Sequence, residues 1–94
     1  MNKKYSSQYL RQIRNNIKIS FVINVILKIQ NRSSDGYFRF KCPICGEFDT
    51  AVNEKTNLAR CFKCKQNFNN IDLVMKLRNC CFLKAIDILK VNLF

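Results

Sequence analysis

Apolar residues fall at Leu10, Ile13 and Ile17, with arginines and asparagines between them. That spacing predicts a helix over about 9–17 with a basic outer face. Ser6 or Ser7 is placed to cap its start. Residues 1–8 are polar and are expected to be frayed. The stretch from Ile19 to Ile29 is dense in β-branched residues and ambiguous by pattern alone. We read it as a short buried helix from Phe21 to about Lys28, capped by Ser20. Asn31-Arg32-Ser33-Ser34-Asp35-Gly36 is a cluster of turn formers. Tyr37-Phe38-Arg39-Phe40-Lys41 then alternates, with Phe38 and Phe40 on one face and Arg39 and Lys41 on the other. Thr50-Ala51-Val52 and Leu58-Ala59-Arg60 form the arms of a hairpin, turned by residues 53–57. Asn69 or Asn70 caps a helix carrying Ile71, Val74, Met75 and Arg78 at helical spacing. A second helix follows from about Phe82 to Val91, with Phe82, Ala85, Ile86 and Leu89 on its core face.

The strand and the hairpin both run into cysteine hooks. Cys42-Pro43-Ile44-Cys45 and Cys61-Phe62-Lys63-Cys64 are separated by fifteen residues. Paired C-x2-C hooks at that separation are a zinc signature. Four thiolates close a tetrahedral shell, so the expected cofactor is one structural Zn²⁺ held by Cys42, Cys45, Cys61 and Cys64. The chain has no histidine, which excludes a mixed Cys/His site. An iron–sulfur or redox site is the alternative for the same hooks. Cys80 and Cys81 lie between the two last helices, where small buried thiols are the expectation.

This pattern gives an α+β fold: a small zinc ribbon of about three to four antiparallel strands flanked by short helices at both ends. Its parts are a basic helical segment over 1–35, the ribbon over 36–68 and a helical pair over 69–94, in one compact domain. A chain of 94 residues buries a limited core, so the metal is expected to supply folding energy. No secretory signal is visible. The longest apolar run, Phe21 to Leu27, is broken by Asn24 and too short to span a bilayer. No membrane role, a reducing compartment and a cytoplasmic location follow as expectations.

Charge adds a partner. Seventeen basic residues against six acidic give a net +11. Lys3, Lys4, Arg11, Arg14, Lys18, Lys28 and Arg32 fall in the first 34 residues, which contain no acidic residue. The excess points to nucleic acid, with a solvated basic face as the bland alternative. Single strands bind by base stacking on aromatics and a cationic track along the phosphates. Candidates for the track are Arg39, Lys41, Lys55, Arg60, Lys63 and Lys65. Candidates for stacking are Tyr37, Phe48 and Phe62. Lys63 and Lys65 adjoin a zinc–thiolate cluster of formal charge about −2, which their charge can simply offset. We therefore weight Arg39, Lys41 and Lys55 above them. Phe62, inside a knuckle, is as well placed to pack under the metal as to meet a base.

Taken together, these motifs resemble the zinc-binding domain of bacterial-type DNA primases, the CHC2 zinc-ribbon family. That family carries a Cys-Pro-Phe-His knuckle, a Thr-Pro-Ser-Phe-like strand, a Cys-Phe-Gly-Cys knuckle, a Gly-Asp-led helix and a terminal Phe-x-Glu-Ala-Val-x-x-Leu helix. Here Cys42–Cys45, Asp49–Val52, Cys61–Cys64, Asn69–Val74 and Phe82–Leu89 stand in the same order. The likeness covers about residues 13–90. Cysteine replaces histidine at position 45, and Lys65, Gln66, Asn67 and Phe68 replace a glycine-rich link. Asn67 is the residue expected to take a left-handed turn there.

The resemblance implies a role in recognising single-stranded template DNA. The six acidic residues are scattered, include no Asp-x-Asp pair and have no glycine-rich phosphate loop beside them. We therefore expect a stand-alone, non-catalytic protein that assists a separately encoded replication enzyme, such as a primase, polymerase or helicase, in a setting such as a mobile element. The alternatives are an interaction module whose apolar ends, including Val91-Asn92-Leu93-Phe94, recruit a replication or transposition partner, and a zinc-ribbon transcription or RNA-binding factor.

Overall fold

In the computed structural model, residues 5–34 and 37–92 are described. Lys3, Lys4, Asp35, Gly36, Leu93 and Phe94 lie outside them, as do the side chains of Ser34 and Tyr37. In chain order come α1 (Ser7–Asn16), α2 (Ile19–Phe21) running into a π turn (Val22–Ile26), β1 (Asn31–Ser34), β2 (Tyr37–Phe40), β3 (Thr50–Asn53), β4 (Leu58–Cys61), β5 (Gln66–Phe68), α3 (Asn70–Arg78) and α4 (Phe82–Lys90). The strands form one antiparallel sheet in the order β1-β2-β3-β4-β5. The fold is α+β, with five strands rather than three to four.

The two extra strands lie where composition pointed to turns. Asn31–Ser34 pairs along its whole length with β2, Arg32 opposite Arg39 and Ser33 opposite Phe38. β5 pairs with β4 through Asn67 opposite Arg60. Backbone pairing with a neighbouring strand overrides weak strand propensity at such edges.

The first helix starts at Ser7 because the Ser6 side chain accepts from the Tyr9 N–H. Residues 5–8 are ordered, contrary to the expected fraying there, and residues 1–4 lie outside the described residues. The Tyr5 hydroxyl donates to Asp87 Oδ1 at 2.6 Å, and its ring stacks on Tyr9. The second helix starts two residues earlier than expected, with Lys18 rather than Ser20 at its cap position. It then widens into a π turn, closed by Leu27 N–H to Val22 C=O, and ends at Lys28 in the left-handed region. Asn69 caps α3 through a reciprocal capping box with Asp72.

One face of the sheet is covered. Phe40, Val52, Ala59, Cys61 and Phe68 pack there against Ile19, Ile23 and Leu73. The opposite sides of the same helices, at Val22, Ile71 and Val74, pack against Ile13, Ile17, Ala85, Ile86 and Leu89. Phe40 and Phe38 therefore face the core as their alternation predicted. Phe82 departs from its expected core position and is 40% exposed at the start of α4. Cys80 is half-buried and Cys81 exposed, so neither is the fully buried thiol expected. Val91 is exposed. Among the described residues, no helix is long and apolar enough to cross a membrane.

Two asparagines join these layers. Asn57, at the end of the β3–β4 turn, holds a positive φ of 55°. Its Oδ1 accepts from the Ile19 N–H, and its Nδ2 donates to the Arg14 and Ile17 carbonyls. Asn70 is fully buried and donates to the Ile13 and Ile17 carbonyls. The orphan carbonyls at the end of α1 are thus satisfied by side chains from the hairpin and from α3. Asn57→Ala leaves the buried Ile19 N–H and the Arg14 carbonyl without these partners. We expect it to lower the stability of the zinc-loaded protein by at least about 2 kcal/mol, read by chemical denaturation. Thr56→Ala, at the exposed neighbouring position, should change it by less than about 0.5 kcal/mol.

Candidate metal centre and nucleic-acid interface

Each hook is a turn that folds back on its own first cysteine. In the first, the Gly46 N–H donates to the Cys42 carbonyl, while the Ile44 and Cys45 N–H groups point at Cys42 Sγ at 3.3 and 3.5 Å. In the second, the Lys65 N–H donates to the Cys61 carbonyl and the Cys64 N–H points at Cys61 Sγ at 3.4 Å. Both turns need a left-handed residue straight after the second cysteine. Gly46 supplies it at φ 78° and Lys65 at φ 58°. Asn67, expected in that role, is instead in β5. The left-handed position directly follows Cys64, two residues earlier.

The hairpin brings the two hooks together. The Sγ atoms of Cys42, Cys45, Cys61 and Cys64 all lie within 4.8 Å of one another. Cys42–Cys64 is 3.9 Å and Cys45–Cys61 is 3.7 Å. Zinc–sulfur bonds of about 2.3 Å require tetrahedron edges of about 3.8 Å. The donor set therefore fits one structural zinc with a closed shell, and no position is left open for a substrate.

The surroundings act unequally on these sulfurs. Burial alone would raise the Cys61 thiol. The Cys64 N–H, the Thr50 hydroxyl, Cys42 and Cys45 reverse this and lower it to about 6. Thr50 pairs directly with Cys61 across β3 and β4. Its buried hydroxyl makes no well-formed hydrogen bond, so its effect on Cys61 is that of a nearby dipole favouring the thiolate. Burial pushes Cys64 up to about 12, helped by the neighbouring thiols Cys45, Cys61 and Cys42. Four thiolates without a metal repel one another, and zinc removes that penalty by displacing the protons.

The uncovered face of the sheet carries the other candidates. Directly paired residues share a face, so the register sets Arg32, Arg39, Ala51, Arg60 and Asn67 in one row across all five strands. Arg60 is exposed and held by a 3.1 Å hydrogen bond to Asn67 Oδ1. Lys55, Leu58, Arg60, Phe62 and Asn67 line one shallow groove of about 730 Å³. Phe62 is 58% exposed, which decides its role: it stands free of the metal core. Phe48 is half-buried beneath the Arg32 guanidinium, 4.9 Å from its ring centroid, so its upper face is taken. Lys41 lies over the first hook, its Cε within 3.8 Å of where a Gly46 Cβ would stand. Lys63 and Lys65 are exposed on the second hook.

The face thus gathers Arg39, Lys55, Arg60 and Phe62 and sets Lys41, Lys63 and Lys65 around the metal. It also includes three residues outside the sequence-derived set: Arg32, Leu58 and Asn67. Arg32 was hidden because β1 is built from turn-forming residues. Leu58 and Asn67 lie at positions whose facing only the register settles.

Two outcomes test the centre. Cys45→Ser should lower zinc affinity more than tenfold, whereas Cys45→His should keep one zinc per chain, because imidazole is also a good zinc ligand. Zinc affinity should fall as pH falls. Above about 6, Cys61 is already a thiolate while Cys64 still holds its proton. Below about 6, Cys61 takes a proton as well and the dependence steepens by one proton per metal. Competition against a chromophoric chelator measures both.

A comparison with curated protein sequences returns no match. A family model does match, described as the CHC2 zinc finger, the zinc ribbon of DnaG-type primases, over residues 5–93. Covering nearly the whole chain, and agreeing with a closed four-sulfur site between a ribbon and two trailing helices, that match makes this protein a member of the CHC2 zinc-finger family.

Proposed function

We propose that this zinc ribbon binds single-stranded DNA across the open face of its sheet and assists a replication enzyme whose catalytic centre lies on another polypeptide. The observation that carries this reading is the row from Arg32 to Asn67 with Phe62 beside it. Arg32 and Arg39 occupy directly opposed positions on neighbouring strands. Strands about 4.8 Å apart turn such a row into a short cationic track perpendicular to them. Phe62 supplies an exposed aromatic next to that track, and stacking on aromatics is tolerant of base identity.

The metal's part is structural. It supplies the rigidity that holds the two hooks, and so Phe62 and the end of β4, in fixed relation. The chain's own side chains make the contacts. Lys41, Lys63 and Lys65 offset the charge of the thiolate cluster and contribute to the local field more than to discrete phosphate contacts. The absence of histidine and of an Asp-x-Asp pair supports a module without a catalytic centre of its own.

Binding of labelled oligothymidylate to the zinc-loaded protein tests the reading. Phe62→Ala should weaken binding about tenfold and leave the salt dependence unchanged, because it removes a stacking contact. Arg60→Ala should weaken binding and reduce the slope of log affinity against log salt by about 0.7, the contribution of one phosphate contact to a single strand. Equal binding by wild type and both variants would sink the proposal. Tighter binding to duplex DNA or to RNA would redirect it to the corresponding nucleic acid.

A further inference from the structure

A second concave site lies on the far side of the helices from the sheet's open face. It is a cavity of about 210 Å³ between α1 and the starts of α3 and α4. Leu10, Ile71 and Phe82 form its apolar surface. Arg11 and Arg14 stand on one wall and Asp72 on another. None of these residues contributes to the metal centre or to the row of arginines on the sheet.

Three features of this corner present groups that a ligand could use. Phe82 begins a helix whose other core-facing residues, Ala85, Ile86 and Leu89, are fully buried, yet it is 40% exposed. Arg11 and Arg14 lie one turn apart on α1, and the first 34 residues contain no carboxylate to pair with them. Among the described residues, neither guanidinium has an ion pair or a hydrogen bond, whereas Lys90 pairs with Asp87 toward the other end of α4. Asp72, the capping-box partner of Asn69, accepts from the Asn69 N–H with one oxygen, and among the described residues the other makes no hydrogen bond.

The size of the cavity narrows the ligand. Sites for whole small molecules span about 300–1,000 Å³. A volume of about 210 Å³ suits a single bulky side chain instead. The two-signed walls narrow it further. A phosphodiester backbone brings acceptors alone and would be repelled by Asp72. A polypeptide brings carboxylates for the arginines and backbone N–H donors for Asp72 at once. We infer that this cavity is a docking site for a partner polypeptide that inserts one bulky apolar side chain, flanked by acidic residues, between α1 and the α3–α4 corner. The site would hold the ribbon to a protein while the opposite face stays open to a nucleic acid.

The test uses the full zinc-loaded chain and three probes: a short peptide with one phenylalanine flanked by glutamates, the same peptide with serine in place of the phenylalanine, and oligothymidylate. Amide shifts mapped on the unaltered protein should move at Leu10, Arg11, Ile71 and Phe82 with the first peptide and not with the second. The double variant Arg11→Glu/Arg14→Glu, and separately Phe82→Ser, should weaken the first peptide about tenfold or more and leave oligothymidylate within twofold. Zinc content and the amide spectrum check that each variant is folded. The inference is overturned if the phenylalanine peptide moves no amide around the cavity, or if the serine peptide binds equally well. It is also overturned if the arginine variant weakens oligothymidylate as much as the peptide, since the wall would then belong to the nucleic-acid track. The mapping on the unaltered protein decides the matter even where a variant fails to fold.

Discussion

Everything else in this fold depends on two turns meeting at one point. Each hook is locally satisfied by its own backbone, through the Gly46 and Lys65 N–H groups and the N–H groups aimed at Cys42 and Cys61. Strand pairing brings the hooks together, but holding four sulfurs within 4.8 Å concentrates charge. A cation changes the sign of that encounter. Once the sulfurs are held, the end of β2 is fixed against the end of β4, and the meander between them has little freedom left. The sheet's covered face is small, and a chain of 94 residues buries a limited core. Metal coordination adds its binding free energy to folding.

The helices are tied to this ribbon by polar groups as much as by apolar ones. The Arg14 and Ile17 carbonyls end α1 facing the hairpin and α3, and the Ile13 carbonyl holds one long bond from the Ile17 N–H. Asn57 and Asn70 reach them from two different elements, and both converge on Ile17. Hydrogen bonds of this kind contribute modestly when made and cost more when broken. They therefore act less as glue than as a register: they allow one seating of α1 and α2 on the ribbon and penalise the others. That seating places α2 and α3 on one face of the sheet and leaves the other face, with its row from Arg32 to Asn67, bare.

How legible this was in the sequence varies by element for physical reasons. The hooks, the β3–β4 hairpin and both trailing helices could be read because their signals are local: spacing, alternation and a capping residue. Asn69 was legible as a cap for the same reason. β1 and β5 were not, since Asn31–Ser34 and Gln66–Phe68 are strands only by virtue of their neighbours. The π turn was not legible either, because a run of β-branched residues fits several helix types. Among candidate site residues, the four ligands followed from spacing alone. Phe48 and Phe62 were both stacking candidates, with Phe62 equally placed to pack under the metal, and the packing separated them: Arg32 covers Phe48, and Phe62 is 58% exposed. Asn57 looked like an ordinary turn residue, since nothing local shows that its amide reaches across to Ile19.

The charge of the chain divides along the same lines. A histidine at position 45 would leave the zinc cluster near −1, whereas cysteine takes it to about −2. Lys41, folded over the first hook, and Lys63 and Lys65, on the second, are the cations nearest to that added charge. Part of the net +11 is therefore committed to the metal centre rather than to a ligand. What remains separates into an arginine row on the open sheet face and an arginine pair beside an apolar cavity behind the helices. The first has aromatic surface and length, which suit a strand of nucleotides. The second has depth and a carboxylate, which suit a side chain. A packed core of Ile19, Ile23, Leu73 and Val74 lies between the sheet and the helices that line the cavity. A module built this way can hold a protein with one side and a single strand with the other, and the cysteine at position 45 makes the basic surplus larger than either task alone requires.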